Sequence, residues 1–329
     1  ITLLAAGVLG ASIQMLHMPY RKAELAALIR HGNPKAFIGL DAFKDETPIA
    51  TVAGFGSVDI VLAADELLAA ALAGAAKGPG AGDRPGGAGG FDVVGPDSRF
   101  VLLHTSGTTA DPKGVPVSHR QYIGNALAAL DPLKIEATDV LLPAAPFTHL
   151  YGLFVLELAL LAGASVSLMP AFTPAALSER LLKDRVSAVF AGPAHVRPIL
   201  SDPDAARRAF AGLRLVCLSG TAVAPALAAE VECCLADGAI RGSTRGSTPG
   251  VVIQLWGMSE LQAGSYGRPD DPVALRHRTA GRPAPGVEFR IRSIESGGDV
   301  TTPDVEGLLQ VRSPALFEGY LDDPAATAR

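Results

Sequence analysis

Cysteine is scarce in this sequence: Cys217, Cys233 and Cys234 are all there is. An odd count with one adjacent pair gives neither a disulfide framework nor metal-ligand spacing. That suits a reducing cytoplasm and inert buried thiols. Basic charge is not in excess either, with 28 Lys and Arg against 33 Asp and Glu, so nucleic acid is not an expected partner. No apolar run reaches the roughly 20 residues that span a bilayer, and no transmembrane segment is expected. Ile1 to Ala11 is apolar but has no charged stretch before it, so it does not read as a secretory signal. There is no initiator Met, and Ile1 is expected to be an internal point of a longer protein. Nothing sets an oligomeric state.

Aromatic residues make up only 5% of the chain, while hydrophobic residues reach 48% and Gly and Ala abound. Helices packed closely on sheets follow from such a composition. The length suits about two average domains or one large α/β unit. Strand patterns occur at Phe100–His104, Val140–Leu142, Val166–Met169, Ala188–Ala191, Leu213–Leu218 and Val251–Leu255. Helix patterns lie between several of them. One starts at Thr173-Pro174, an N-cap followed by proline at the first helical position. Another starts at Ser118, with Gln121 at capping-box spacing, and runs through Asn125 to Leu130. This alternation predicts an α/β fold of layered, mostly parallel sheets with helices on both faces. Val287, Phe289 and Ile291 then alternate with charged residues, and Glu306–Arg312 reads as a second strand. Residues 1–278 are therefore expected to form the α/β core, and 279–329 a β-rich segment of the same large domain, the beginning of a small barrel or meander. Gly74–Gly90 reads as a flexible Gly-rich loop, and Arg241–Gly250, with Arg-Gly-Ser-Thr twice, as a surface loop.

The most informative stretch runs from Thr105 through Ser106, Gly107, Thr108, Thr109, Ala110, Asp111, Pro112 and Lys113 to Gly114-Val115. It follows a strand pattern and precedes a helix pattern, where open α/β sheets bind ligands. Small hydroxyl residues and Gly107 let a backbone fold around an anion, and Lys113 supplies a point charge. A P-loop NTPase signature requires Gly-Lys followed by Ser or Thr, whereas here Pro112 precedes Lys113 and Gly114 follows it.

The stretch resembles the signature loop of the acyl-adenylate-forming superfamily, which includes acyl-CoA synthetases, luciferases and peptide-synthetase adenylation domains. Only Ala110 departs from the family pattern, which has Gly there. Later motifs come in the family's order. Pro146-Phe147-Thr148-His149-Leu150-Tyr151-Gly152 resembles the Pro-x-x-His-x-x-Gly stretch that gates the acid against CoA. Ser219-Gly220-Thr221-Ala222 resembles the adenine-side turn. Gln254-Leu255-Trp256-Gly257-Met258-Ser259-Glu260 resembles Gln-x-Tyr-Gly-x-Thr-Glu. Ala280–Glu288, Glu306–Arg312 and Phe317–Tyr320 resemble architectural segments and are assigned no chemistry.

The resemblance implies roles. Lys113, His149, Ser259 and Glu260 are the expected catalytic set, with Glu260 the Mg²⁺ carboxylate. Thr105, Ser106, Gly107, Thr108, Thr109 and Lys113 are expected on the phosphates, and Gly220, Thr221, Ala222, Trp256 and Gly257 on adenine. Phe147, His149, Gly152, Ser219 and Met258 are expected at the acyl pocket. The implied cofactors are ATP and Mg²⁺, with CoA as co-substrate; the partners are a small carboxylic acid, ATP and CoA, with a carrier protein as an alternative acceptor. The implied reaction is acid activation through acyl-AMP with release of pyrophosphate, then transfer to CoA. An enzyme that loads a carrier protein and a degenerate nucleotide-binding protein are the alternatives. The family's ribose-binding Asp, hinge and small C-terminal lid domain lie beyond Arg329, so the fragment is expected to be catalytically impaired. Phe147, Leu150 and Leu153 lean toward a hydrophobic acid.

Overall fold

The computed structural model describes residues 1–76, 94–105, 112–240, 249–302 and 305–328. They divide into two compact units, residues 1–119 with 317–329, and residues 120–316.

The second unit is built on a seven-stranded sheet. Its spatial order is Arg282–Pro283, Gln262–Tyr266, Val251–Met258, Leu215–Leu218, Ala188–Ala191, Val140–Pro143, Ser165–Val166. The last five run parallel, while Gln262–Tyr266 pairs antiparallel with both of its neighbours, Val251–Met258 and Arg282–Pro283. The two central strands, Leu215–Leu218 and Ala188–Ala191, are buried along their whole length, as expected of parallel strands covered on both faces. Alternate side chains divide between two cores. Val189, Ala191, Val216, Leu218 and Val252 pack with Leu177, Leu181, Phe210, Leu227 and Val231 on one face. Ala188, Phe190, Leu215, Cys217 and Ile253 pack with Leu133, Tyr151, Phe154 and Leu158 on the other. Each large apolar side chain so buried contributes about 1.5–3 kcal/mol.

Local chemistry sets the helix boundaries. Thr173 Oγ1 accepts from Ala176 N at 3.0 Å, and Pro174 opens the helix Pro174–Lys183. The helix Leu150–Ala162 is apolar almost all round and ends at Gly163, whose φ of 69° suits glycine. The helix expected after Ser118 is His119–Leu133; Ser118 itself ends a strand, and Gln121 Nε2 donates to Leu316 O at 2.7 Å. The strand expected over Val166–Met169 shortens to Ser165–Val166. Ser167 Oγ donates to Asp184 Oδ2 at 2.6 Å and Leu168 is exposed, so the chain leaves the ladder at the sheet edge. The β-rich end is a two-stranded antiparallel ribbon, Glu288–Arg292 with Leu308–Arg312, in which Phe289 pairs with Val311. Both lean on the core, while Arg290 Nε donates outward to Gln310 Oε1.

In the first unit Arg99–Thr105 lies between Ile13–Gln14, its parallel neighbour, and Lys113–Ser118, its antiparallel one. A second parallel pair is Ala36–Gly39 with Ile60–Ala63. Leu25, Ile29, Phe37 and Val52 form a small core beside it. Residues 74–76 of the expected Gly-rich loop close the helix Ala64–Ala76 instead; residues 77–90 lie outside the described set, as do 241–248 of the second expected loop. No helix among the described residues is long and apolar enough to cross a membrane.

Candidate functional site

Four parallel strands of the large sheet end at one edge, so the segment that follows each emerges there. The spatial order of the strands sets the order along that edge. Trp256–Glu260 comes first, then Ser219–Ala222, then Gly192–His195, and then Phe147–His149. Segments far apart in sequence are thus brought to one side of one sheet.

Val251–Met258 overhangs its parallel partner, with which it pairs only as far as Gln254–Leu218. Beyond that point it folds back through Ser259–Leu261 into Gln262–Tyr266, placing Glu260 in the connecting turn, half-buried. The register shifts between Trp256 and Gly257, a bulge. A Cβ on Gly257 would lie 2.0 Å from Gln262 O, so this motif glycine is required by its own hairpin. The Trp256 ring lies over Gly264, where an added Cβ would come within 2.9 Å of it, and meets Phe289 edge-on at 5.7 Å. Gln254 is buried and donates to His277 O at 2.6 Å, a structural bond. Met258 is half exposed.

Ser219 continues the buried strand, its N–H donating to Ala191 O at 3.0 Å. Gly220 follows with φ of +91°, a conformation that favours glycine. Nothing lies within 4 Å of where its Cβ would be, which leaves open space above the turn, and Thr221 and Ala222 are exposed. At the other end, exposed His149 caps the helix Leu150–Ala162, its Nδ1 accepting from Tyr151 N at 3.1 Å. That bond puts the proton of the neutral ring on Nε2. Gly152 is wedged against the loop it follows: a Cβ there would lie 2.3 Å from Pro146 O. Phe147 is half-buried.

His195 reaches the same edge and was missed in the sequence. Its Nδ1 accepts from Gly192 N at 2.9 Å, and its ring meets Phe172 edge-on at 4.6 Å. Burial holds its pKa below the usual histidine value, although the Gly192 bond opposes this. The Gly192-Pro193 start of a helix was the available signal. Burial pushes the Cys217 thiol up to about 12, against the hydrogen bond from Tyr151. Cys217 and Cys234 are buried as expected, whereas Cys233 is exposed because it lies on the solvent side of its helix.

Of the phosphate loop, Thr105 and Lys113 are described; Ser106, Gly107, Thr108 and Thr109 lie outside the described residues. Thr105 ends one strand and Lys113 opens the next, paired with it in register. The stretch was expected to precede a helix, and the helix His119–Leu133 does follow. A strand, Lys113–Ser118, intervenes, because Val115 and Val117 are buried on alternate positions. Lys113 therefore stands at the start of a strand and not at a helix terminus. Among the described residues no three His, Cys, Asp or Glu gather as a metal site.

The family model described as "AMP-binding enzyme" matches residues 1–321. The 3-[(3aS,4S,7aS)-7a-methyl-1,5-dioxo-octahydro-1H-inden-4-yl]propanoyl:CoA ligase of Rhodococcus jostii (strain RHA1) is 30% identical over 238 residues, which are 72% of this chain and 42% of that protein. Pyochelin synthetase PchE of Pseudomonas aeruginosa (strain UCBPP-PA14) is 34% identical over 238 residues, 71% of this chain and 16% of that protein. ATP-bound MatB from Rhodopseudomonas palustris superposes with a TM-score of 0.77 at 25% identity, over 99% of this chain and 60% of that one. The chain thus spans less than half the length of these curated relatives. The family model matches the chain almost end to end, and the chain belongs to the AMP-binding enzyme family, the acyl-adenylate-forming superfamily.

Proposed function

We propose that the protein activates a carboxylic acid with ATP, forming acyl-AMP and releasing pyrophosphate, and then passes the acyl group to CoA. The observation that carries the reading is the gathering of three motif segments, Trp256–Glu260, Ser219–Ala222 and Phe147–His149, at the carboxyl ends of the parallel strands of one sheet, in a chain that matches the AMP-binding family from residue 1 to 321. The similarity to a CoA ligase supports the thiol acceptor.

Lys113 and Thr105, with Ser106, Gly107, Thr108 and Thr109, donate to phosphate oxygens. Gly220, Thr221, Ala222, Trp256 and Gly257 receive the adenine; the open space above Gly220 is the room a flat base needs. Glu260 takes the magnesium. A single half-buried carboxylate fits a metal that completes its shell with phosphate oxygens and water. Bound there, Mg²⁺ would offset the phosphate charge as the acid attacks the α-phosphorus. The Ser259 hydroxyl donates nearby. Phe147, His149, Gly152, Ser219 and Met258 shape the acyl end, and a hydrophobic acid is the proposed substrate class. The capping bond of His149 leaves Nε2–H as a donor rather than a base.

Mg²⁺-dependent ATP binding by the intact protein tests the reading. Lys113→Ala is expected to weaken it about 10- to 100-fold, the worth of a charge-assisted contact, and Glu260→Ala to abolish its Mg²⁺ dependence. Unchanged binding in both variants refutes it. Acid-dependent pyrophosphate exchange over a panel of acids identifies the substrate, and parallel assays with CoA and a carrier protein identify the acceptor.

A further inference from the structure

The sequence segment Phe317–Tyr320 carries no assigned chemistry, yet it meets Lys113. The Lys113 Nζ lies 4.9 Å from the centroid of the Tyr320 ring. The surrounding backbone is tied down at several points within the same unit. Leu321 N donates to Gly114 O at 2.9 Å, and His31 Nε2 lies 3.3 Å from Leu321 O. Tyr320 N donates to Thr327 Oγ1 at 2.9 Å, and Phe317 packs edge-on against the Tyr320 ring at 4.8 Å. Gly114 sits close under this segment, where a Cβ would lie 3.1 Å from Leu321 Cβ and 3.3 Å from His31 Cε1. The segment that carries the ring is thus held against the residue that follows Lys113.

A lysine ammonium is a compact charge on a long flexible stem, and most of its rotamers point away from any one ligand. An aromatic face attracts the cation through the ring quadrupole without consuming a strong acceptor, so the N–H donors not aimed at the ring remain for phosphate. Restricting the stem before the ligand arrives lowers the ordering cost of binding. We propose that Tyr320 is a positioning residue for Lys113, its ring holding the ammonium ready for phosphate. The inference rests on the reading of Lys113 as a phosphate ligand.

The test measures Mg²⁺-ATP dissociation constants for the intact protein and for Tyr320→Phe, Tyr320→Leu, Lys113→Ala and the Lys113→Ala/Tyr320→Leu pair. Tyr320→Leu is expected to weaken binding about 3- to 30-fold, the range of a partly desolvated cation–π contact, while Tyr320→Phe keeps the ring and stays within about 2-fold. In the Lys113→Ala background, Tyr320→Leu is expected to change nothing further. An equal loss in that background, an unaffected Tyr320→Leu or a tighter one overturns the inference. If Lys113→Ala itself binds ATP normally, the reading beneath it fails instead, and the inference falls with it. A second readout does not depend on the leucine variant folding: ring current should shift the Lys113 side-chain methylene protons upfield in the unmodified protein and in Tyr320→Phe. Unshifted resonances would also overturn the proposal.

Discussion

Replacing Gly152 by Ala adds one methyl group to a buried helix start. Its Cβ would lie 2.3 Å from Pro146 O, 2.7 Å from Pro146 C and 2.8 Å from Ala145 O. Carbon requires roughly 3.5 Å from such neighbours, so helix and loop must separate by about 1 Å. No rotamer relieves the clash, since both sides are backbone. Overpacking of this kind costs about 1–3 kcal/mol, and the rigid contact puts it near 3. For a unit of this size that lowers Tm by about 6–12 °C. Gly124 supplies the control. It lies within the helix His119–Leu133, exposed, with nothing within 4 Å of its would-be Cβ. There the same change removes backbone freedom from the unfolded chain and adds about 0.5–1 kcal/mol of stability. Thermal and urea denaturation of both variants against the parent reads the difference. A Gly152→Ala protein that melts within about a degree of the parent, or below which Gly124→Ala falls, refutes the steric argument.

Two further predictions concern pH and charge. Burial, and secondarily the nearby His31, lower the His104 pKa from 6.5 to about 4. The unfolded chain therefore takes up a proton that the folded one refuses, and this contribution to stability is present above 6.5 and is lost as pH falls toward 4. Full expression of the difference would be about 3 kcal/mol, reduced to about 1–2 by the ring's partial exposure; His104→Gln should flatten the slope of urea stability across that window, and an unchanged slope counts against it. Asp139 is buried, which raises its pKa, but bonds from Arg214, Glu136 N and Ser187 and the Arg214 charge outweigh burial and hold it low. Asp139→Asn breaks that pair at a cost of about 2–3 kcal/mol, below the usual range because a third of the Arg214 side chain meets solvent. The gap between parent and variant should close in acid as Asp139 protonates, and a gap that persists there would show that charge is not its source.

Some segments were legible because their chemistry is local. Thr173-Pro174 starts a helix wherever it stands, since hydroxyl and ring act on their own backbone. Ala188–Ala191 is an unbroken apolar run and occupies the middle of the sheet. Val166–Met169 reads equally well as a strand, but whether a neighbour exists to pair with it is not a local property, and its second half has none. His195 was overlooked because Gly192-Pro193 signals a helix start and not where that helix lies; its place comes from the strand before it.

The order of residues in Thr105–Val115 and in Gln254–Glu260 carried the resemblance that identified the family, because a motif is a property of the sequence alone. Tertiary structure decided what each glycine is for and which ring meets Lys113. Close approach of two backbones, as at Gly152 and Gly257, and a cation over a distant aromatic face depend on distances through space, and the order of residues along a chain does not contain them.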